Sequence, residues 1–100
     1  ANNPINVDVS GLGLSEDILQ AKPLSAAEFQ VLKSEPEIAR LSGDDRNELL
    51  GLRTVYEMLS KCDESLSWNK FRLLPMQLLG ELATRVTAAV GTGQDGALGK

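Results

Sequence analysis

Helix-start signals follow one another along the middle of this 100-residue sequence. Ser25 stands three residues before Glu28, which is the spacing of a capping box, where a serine oxygen and a glutamate carboxylate bind the first amides of a helix. Ser34 and Glu37 repeat the spacing, and the proline between them suits a first helical turn, where an amide has no partner. These signals predict two short helices, over residues 25–34 and 35–42.

Two longer helices are predicted in the second half of the chain. After a cap at Ser42 or Asp44, apolar side chains recur every three or four residues, which is the pattern of a helix with one buried face. A second pattern of this kind begins at Pro75. The two helices are predicted over residues 45–62 and 75–90, and the apolar stripe of the first comprises Leu49, Leu52, Tyr56 and Leu59.

The N-terminal segment, residues 1–13, is predicted to be a flexible arm, because Asn, Pro and Gly interrupt it. Ile5, Val7 and Val9 alternate with polar residues, and this alternation is a strand pattern. Two interpretations remain open for the arm: it packs loosely against its own domain, or it adds a strand to the sheet of a neighbouring molecule. In the second case these three apolar residues bind the partner.

These patterns together predict an all-α protein, a small helical bundle of four to five helices with a flexible N-terminal arm and a Gly-rich C-terminal tail. The segment from Ser15 to Pro23 is expected to add only a short helical turn. A chain of 100 residues has the usual size for a single hydrophobic core. The predicted divisions are the arm 1–13, the helical bundle 14–90 and the tail 91–100.

No catalytic residue, cofactor site or metal site is predicted. The sequence has no histidine, which removes the commonest general base and zinc ligand. Cys62 is its single cysteine, so no disulfide can form within the chain. The net charge of −4 argues against direct nucleic-acid binding, which rests on clustered Lys and Arg. No apolar stretch is long enough for membrane insertion, and no signal-peptide pattern is recognised.

Two short motifs have the form of known functional motifs, but neither predicts a cofactor site. Gly91, Gly93 and Gly96 have the spacing of a dinucleotide-binding turn, but they follow a predicted helix rather than a strand. The segment 63–66, Asp-Glu-Ser-Leu, resembles the Asp-Ser-Leu motif of acyl carrier proteins, in which the serine carries a prosthetic arm. That resemblance implies Ser65 as the attachment point, although a glutamate separates it from Asp63; a turn that caps the next helix is the alternative.

A basic and aromatic segment is the second candidate for partner binding. Trp68, Phe71 and Arg72 are residue types that are enriched at binding hot spots. The favoured alternative is that Trp68 and Phe71 close one end of the bundle. We therefore expect a non-catalytic protein-interaction or assembly module, for example a component of a virion or secretion apparatus, whose partner is another protein or a second copy of the chain. The alternative is an acidic regulator that binds a basic surface, since residues 1–50 carry nine acids and four bases. A cytoplasmic location or one within a larger assembly is favoured.

Overall fold

The chain folds as a small mixed α/β domain, in which a two-stranded sheet precedes five helices. The computed structural model describes residues 3–98, and the side chains of residues 3–91. Within that range no helix is long and apolar enough to cross a membrane. The elements are β1 (Ile5–Asp8), β2 (Ile18–Ala21), α1 (Ala26–Lys33), α2 (Pro36–Ala39), α3 (Gly43–Ser60), α4 (Trp68–Phe71) and α5 (Met76–Leu98).

The prediction of an all-α fold is wrong, because the N-terminal residues form a β-hairpin. β1 and β2 pair antiparallel, with Ile5 opposite Ala21 and Asp8 opposite Ile18. The loop between them contains Gly11 and Gly13, both with φ close to +80°, a conformation that glycine adopts without steric cost. The alternation seen in the sequence therefore does mark a strand, and the segment expected to form a helical turn is its partner.

One face of the hairpin belongs to the hydrophobic core. Val7 and Val9 are each 1% exposed, and Ala21 is fully buried. A two-stranded sheet is marginal on its own and gains its stability from burying one face. Here that face packs on α3 and α5, so residues 5–9 lie in the core rather than in a loosely packed arm. The core cluster beneath the hairpin comprises Val55, Met58, Leu59, Phe71, Leu79, Leu82, Val86 and Val90.

The four helices predicted over 25–34, 35–42, 45–62 and 75–90 correspond to α1, α2, α3 and α5, whereas the helical turn predicted within residues 15–23 is the strand β2. Only one of the two predicted capping boxes forms. The Ser25 hydroxyl accepts a hydrogen bond from the Glu28 amide at 3.1 Å, and the Glu28 carboxylate accepts one from the Ser25 amide at 2.8 Å, so this capping box is confirmed. The second box does not form. Ser34 donates its hydroxyl to the carbonyl of Val31 and so closes α1, while α2 begins after Glu35 without a side-chain cap.

The last helix is longer than expected. α5 runs from Met76 to Leu98 and continues through Gly91, where the sequence pattern predicted its end. Among the residues of α5 whose side chains are described, Leu82 and Val86 belong to its buried face. Of the tail predicted over residues 91–100, the last two lie outside the described residues.

Candidate functional site

The residues of the N-terminal arm that were expected to bind a partner instead pair and pack within the chain's own domain. Val7 and Val9 are buried, and Ile5 is half-buried opposite Ala21 in the hairpin. The Val9 amide donates to the carbonyl of Asp17 at 2.8 Å. The structure therefore brings Ile5, Val7 and Val9 together as one strand, but that strand already has its partner.

The second set of expected binding residues forms an aromatic cluster with Tyr56. The ring centroids of Tyr56 and Trp68 are 5.6 Å apart, those of Tyr56 and Phe71 are 5.8 Å apart, and those of Trp68 and Phe71 are 6.2 Å apart. These separations are typical of favourable aromatic pairs. Phe71 is 1% exposed and Trp68 is half-buried, so the cluster joins α4 to α3.

Two guanidinium groups complete the aromatic cluster. The Cζ atoms of Arg53 and Arg72 lie 5.0 and 5.3 Å from the Trp68 ring centroid, within the range of a cation–π contact. Arg53 also pairs with Glu57 at 3.2 Å, and Arg72 pairs with Glu37 at 3.0 Å. The side chains of Trp68, Phe71 and Arg72 thus lie in one cluster, and each of them contacts other residues of the same chain.

The segment that resembles a carrier motif forms a local turn. The Ser65 hydroxyl donates to the Asp63 carboxylate at 2.6 Å, and the Ser65 amide donates to the same oxygen at 3.0 Å. These two hydrogen bonds hold the pKa of Asp63 below its ordinary value. The Ser65 hydroxyl therefore stabilises the local turn at residues 63–65. Within the described residues, no three His, Cys, Asp or Glu side chains cluster in a way that could hold a metal ion.

The described part of the chain has a groove beside β2, which we name the β2 groove. It has a volume of about 690 Å³ and lies between the hairpin and the α3–α4 corner. Its floor is apolar and includes the buried side chains of Leu59, Phe71 and Leu82. The full lining comprises Asn6, Leu14, Ser15, Glu16, Ile18, Leu19, Gln20, Leu59, Cys62, Asp63, Ser65, Leu66, Phe71, Leu74 and Leu82.

The outer edge of β2 forms one wall of the groove. Because the Val9 amide donates to the Asp17 carbonyl, Val9 and Asp17 form a bonded pair of the ladder. Bonded and non-bonded pairs alternate along antiparallel strands, so Ile18 and Gln20 belong to non-bonded pairs. Their amides and carbonyls point away from β1, and no hydrogen bond reaches these groups from the residues that the structure describes.

At the opposite edge of the hairpin, a side chain of α5 binds two backbone carbonyl groups. Arg85 donates from Nη1 to the carbonyl oxygens of Asp8 and Ser10, at 3.2 and 3.0 Å. At the far end of β2, the Lys22 amide donates to the Met58 carbonyl at 3.0 Å and ties the strand to α3. The outward amides and carbonyls of Ile18 and Gln20 therefore have no partner in the described residues, whereas the next outward amide along β2, that of Lys22, is bound by α3.

The charge of the β2 groove is negative. Glu16 and Asp63 are exposed and stand among its lining residues, while no lysine or arginine with a described side chain lines it. Two further acids, Asp17 and Glu64, follow them in the sequence and are also exposed. Any group that enters the groove meets carboxylates at its rim and hydrocarbon at its floor.

The sequence does not predict the β2 groove, because its lining comes from segments that are far apart in the chain. Ile18 and Gln20 lie in the segment that the sequence predicts to be a helical turn, and Leu59 belongs to a predicted core stripe. No protein-family model matches this sequence, and no curated protein or solved structure shows significant similarity to it.

Proposed function

We propose that this chain is a non-catalytic protein-interaction module and that the β2 groove binds its partner. This proposal rests on one observation, that the β2 groove combines an apolar floor with an unpaired strand edge. An apolar floor of buried side chains lies beside a strand edge whose backbone groups at Ile18 and Gln20 have no partner in the described residues. Folded proteins usually cover or blunt such edges, because an unpaired edge is a template for another chain.

Physical chemistry favours a macromolecular partner over a reaction. The groove is lined mainly by hydrocarbon, hydroxyl and amide groups together with two carboxylates. Its cysteine, Cys62, has no basic side chain beside it among the lining residues, so nothing there activates the thiol. An apolar centre with a polar rim is instead the usual anatomy of a protein interface.

Other exposed apolar residues offer a smaller surface. Leu73 and Met76, at the turn between α4 and α5, are 82% and 68% exposed, and Val31 on α1 is 64% exposed. None of the three lines the β2 groove. Single apolar residues at a surface are common and need no partner. A groove beside an unpaired strand edge is uncommon.

Site-specific photo-crosslinking in the source cells tests the proposed function. A photoreactive phenylalanine analogue replaces Gln20 or Ser65, which stand on the two walls of the groove, or Asn47 near the start of α3, as the control. We expect one discrete protein adduct from Gln20 and Ser65 and none from Asn47. An adduct between two copies of the chain would identify the partner as self. Equal labelling from all three positions, or no adduct, would contradict the proposed function.

A further inference from the structure

We infer that the β2 groove binds its partner by strand addition, and that the occupant is an extended segment of another protein in which apolar and basic side chains alternate. This inference rests on the proposed function and names the chemistry of its partner. An added strand would pair its backbone with the amides and carbonyls of Ile18 and Gln20, which no described residue contacts. Strand addition is a recurrent way for a domain to capture an extended peptide.

The apolar half of the alternation follows from the groove floor. Successive side chains of a strand point to opposite faces, so every second side chain of an added strand faces the same way as Leu19. Leu19 is half-buried and lies in the groove with Leu59, Leu66 and Phe71. Those positions of the partner therefore contact hydrocarbon and are apolar.

The basic half follows from the groove rim. The other side chains of the added strand share the exposed face of the hairpin with Gln20 and Ile18. Glu16 and Asp63 are the charged residues that line the groove there, and both are acidic. Lysine or arginine at the solvent-facing positions would be attracted by these carboxylates, whereas acidic residues would be repelled.

The same charges disfavour a second copy of this chain as the occupant. At the solvent-facing positions of β2, a second copy would present Ile18 and Gln20, neither of which carries a positive charge. A different protein with a basic, apolar strand meets both conditions, whereas β2 of a second copy does not meet the charge condition.

Amide exchange on the full chain provides the test, with a short synthetic peptide in which valine alternates with lysine as the probe. At saturating peptide, exchange of the Ile18 and Gln20 amides should slow by about tenfold or more, because strand pairing gives each of them a hydrogen-bond acceptor. Asn6 and Asp8 face the other edge of the same hairpin and are the matched control, whose exchange rates should not change. Absent protection, or equal protection at all four amides, would overturn strand addition.

Backbone methylation of the peptide provides a control that cannot disturb the fold of the protein. Along an extended peptide, the valine and lysine amides point to opposite sides, so only one of the two sets can face β2. Methylating that set should abolish binding, and methylating the other should not. Loss of binding from both methylated peptides, or from neither, would contradict a paired strand.

Two further measurements test the choice of occupant. A peptide with glutamate in place of each lysine should bind at least about tenfold more weakly at low salt. Equal binding of the two peptides would refute the basic half of the inference, and growth of the free chain's mass with concentration in light scattering would reassign the groove to a second copy. Discrete photo-crosslinks at Gln20 and Ser65 without protection of the edge amides would leave the proposed function standing and remove strand addition alone.

Discussion

The guanidinium of Arg85 on α5 donates a hydrogen bond of 3.0 Å to the carbonyl oxygen of Ser10, just beyond the end of β1. A second bond from the same nitrogen reaches the Asp8 carbonyl at 3.2 Å. These residues lie at opposite ends of the sequence, so Arg85 fastens the hairpin to the last helix. The contact occupies two carbonyl groups at the β1 side of the hairpin, whereas the outward amides and carbonyls of Ile18 and Gln20 have no partner in the described residues.

Replacement of Arg85 by methionine should lower the free energy of unfolding by about 1–2 kcal/mol, because hydrogen bonds from a charged donor are lost while the aliphatic stem is kept. Urea denaturation followed by circular dichroism would measure the change. Arg40→Met is the matched control, since Arg40 is exposed and makes no side-chain hydrogen bond or ion pair within the described residues. Equal stability of the two variants would show that Arg85 does not hold the hairpin.

The burial of Val7 gives a second prediction. Val7 is 1% exposed in the core, so Val7→Ala should lower the free energy of unfolding by about 1.5–3 kcal/mol through lost burial and a residual cavity. Val31→Ala removes the same atoms from a side chain that is 64% exposed, and its effect should stay within about 0.5 kcal/mol. Denaturant unfolding of both variants separates a core strand from an arm that packs loosely, for which the two changes would be alike.

The helices were predictable because their signals are local. A capping box depends on two residues that are three apart, as Ser25 and Glu28 are. An apolar stripe depends only on the recurrence of apolar residues every three or four positions. Even so, the box at Ser34 does not form, since the hydroxyl of that serine closes the preceding helix instead. Local patterns thus identified the elements more surely than the groups that cap them.

The hairpin and the β2 groove could not be predicted in the same way. Ile5 pairs with Ala21, and nothing near either residue indicates the other. The sequence Ile18 to Ala21 follows two acids, and that order equally suits the first turn of a helix. The groove adds Leu59 and Leu82 from distant helices. Its existence depends on tertiary packing, which alone decided between the two local structures.

The single tryptophan gives a third prediction. Trp68 lies between two guanidinium groups, and its buried Nε1 has no hydrogen-bond partner in the described residues. Trp68→Phe should therefore cost only about 1 kcal/mol, because it keeps a ring for Arg53 and Arg72 and removes an unsatisfied donor. Trp68→Ala should cost about 3 kcal/mol, since it empties the aromatic cluster. Thermal unfolding by circular dichroism compares them, and equal losses would show that a phenyl ring does not preserve the contacts of the aromatic cluster.

Acid should weaken the contact between α1 and the end of α3. The Lys61 ammonium binds the Glu28 carboxylate at 2.7 Å, and this bond together with that from the Ser25 amide holds the pKa of Glu28 below its ordinary value of 4.5. A carboxyl whose pKa is lower in the folded state stabilises the fold above its unfolded pKa. That contribution is lost as the pH falls through the folded value.

Glu28→Gln tests this pH dependence, because glutamine keeps the shape and an acceptor oxygen for the cap but cannot ionise. At neutral pH the variant should be less stable than the parent chain, and the difference should shrink as the pH falls below 4.5. Glu48→Gln on the exposed face of α3 is the control, since Glu48 makes no ion pair within the described residues. Urea midpoints measured over a pH series would decide the matter. A constant gap between Glu28→Gln and the parent would mean that the charge of Glu28 contributes nothing to stability.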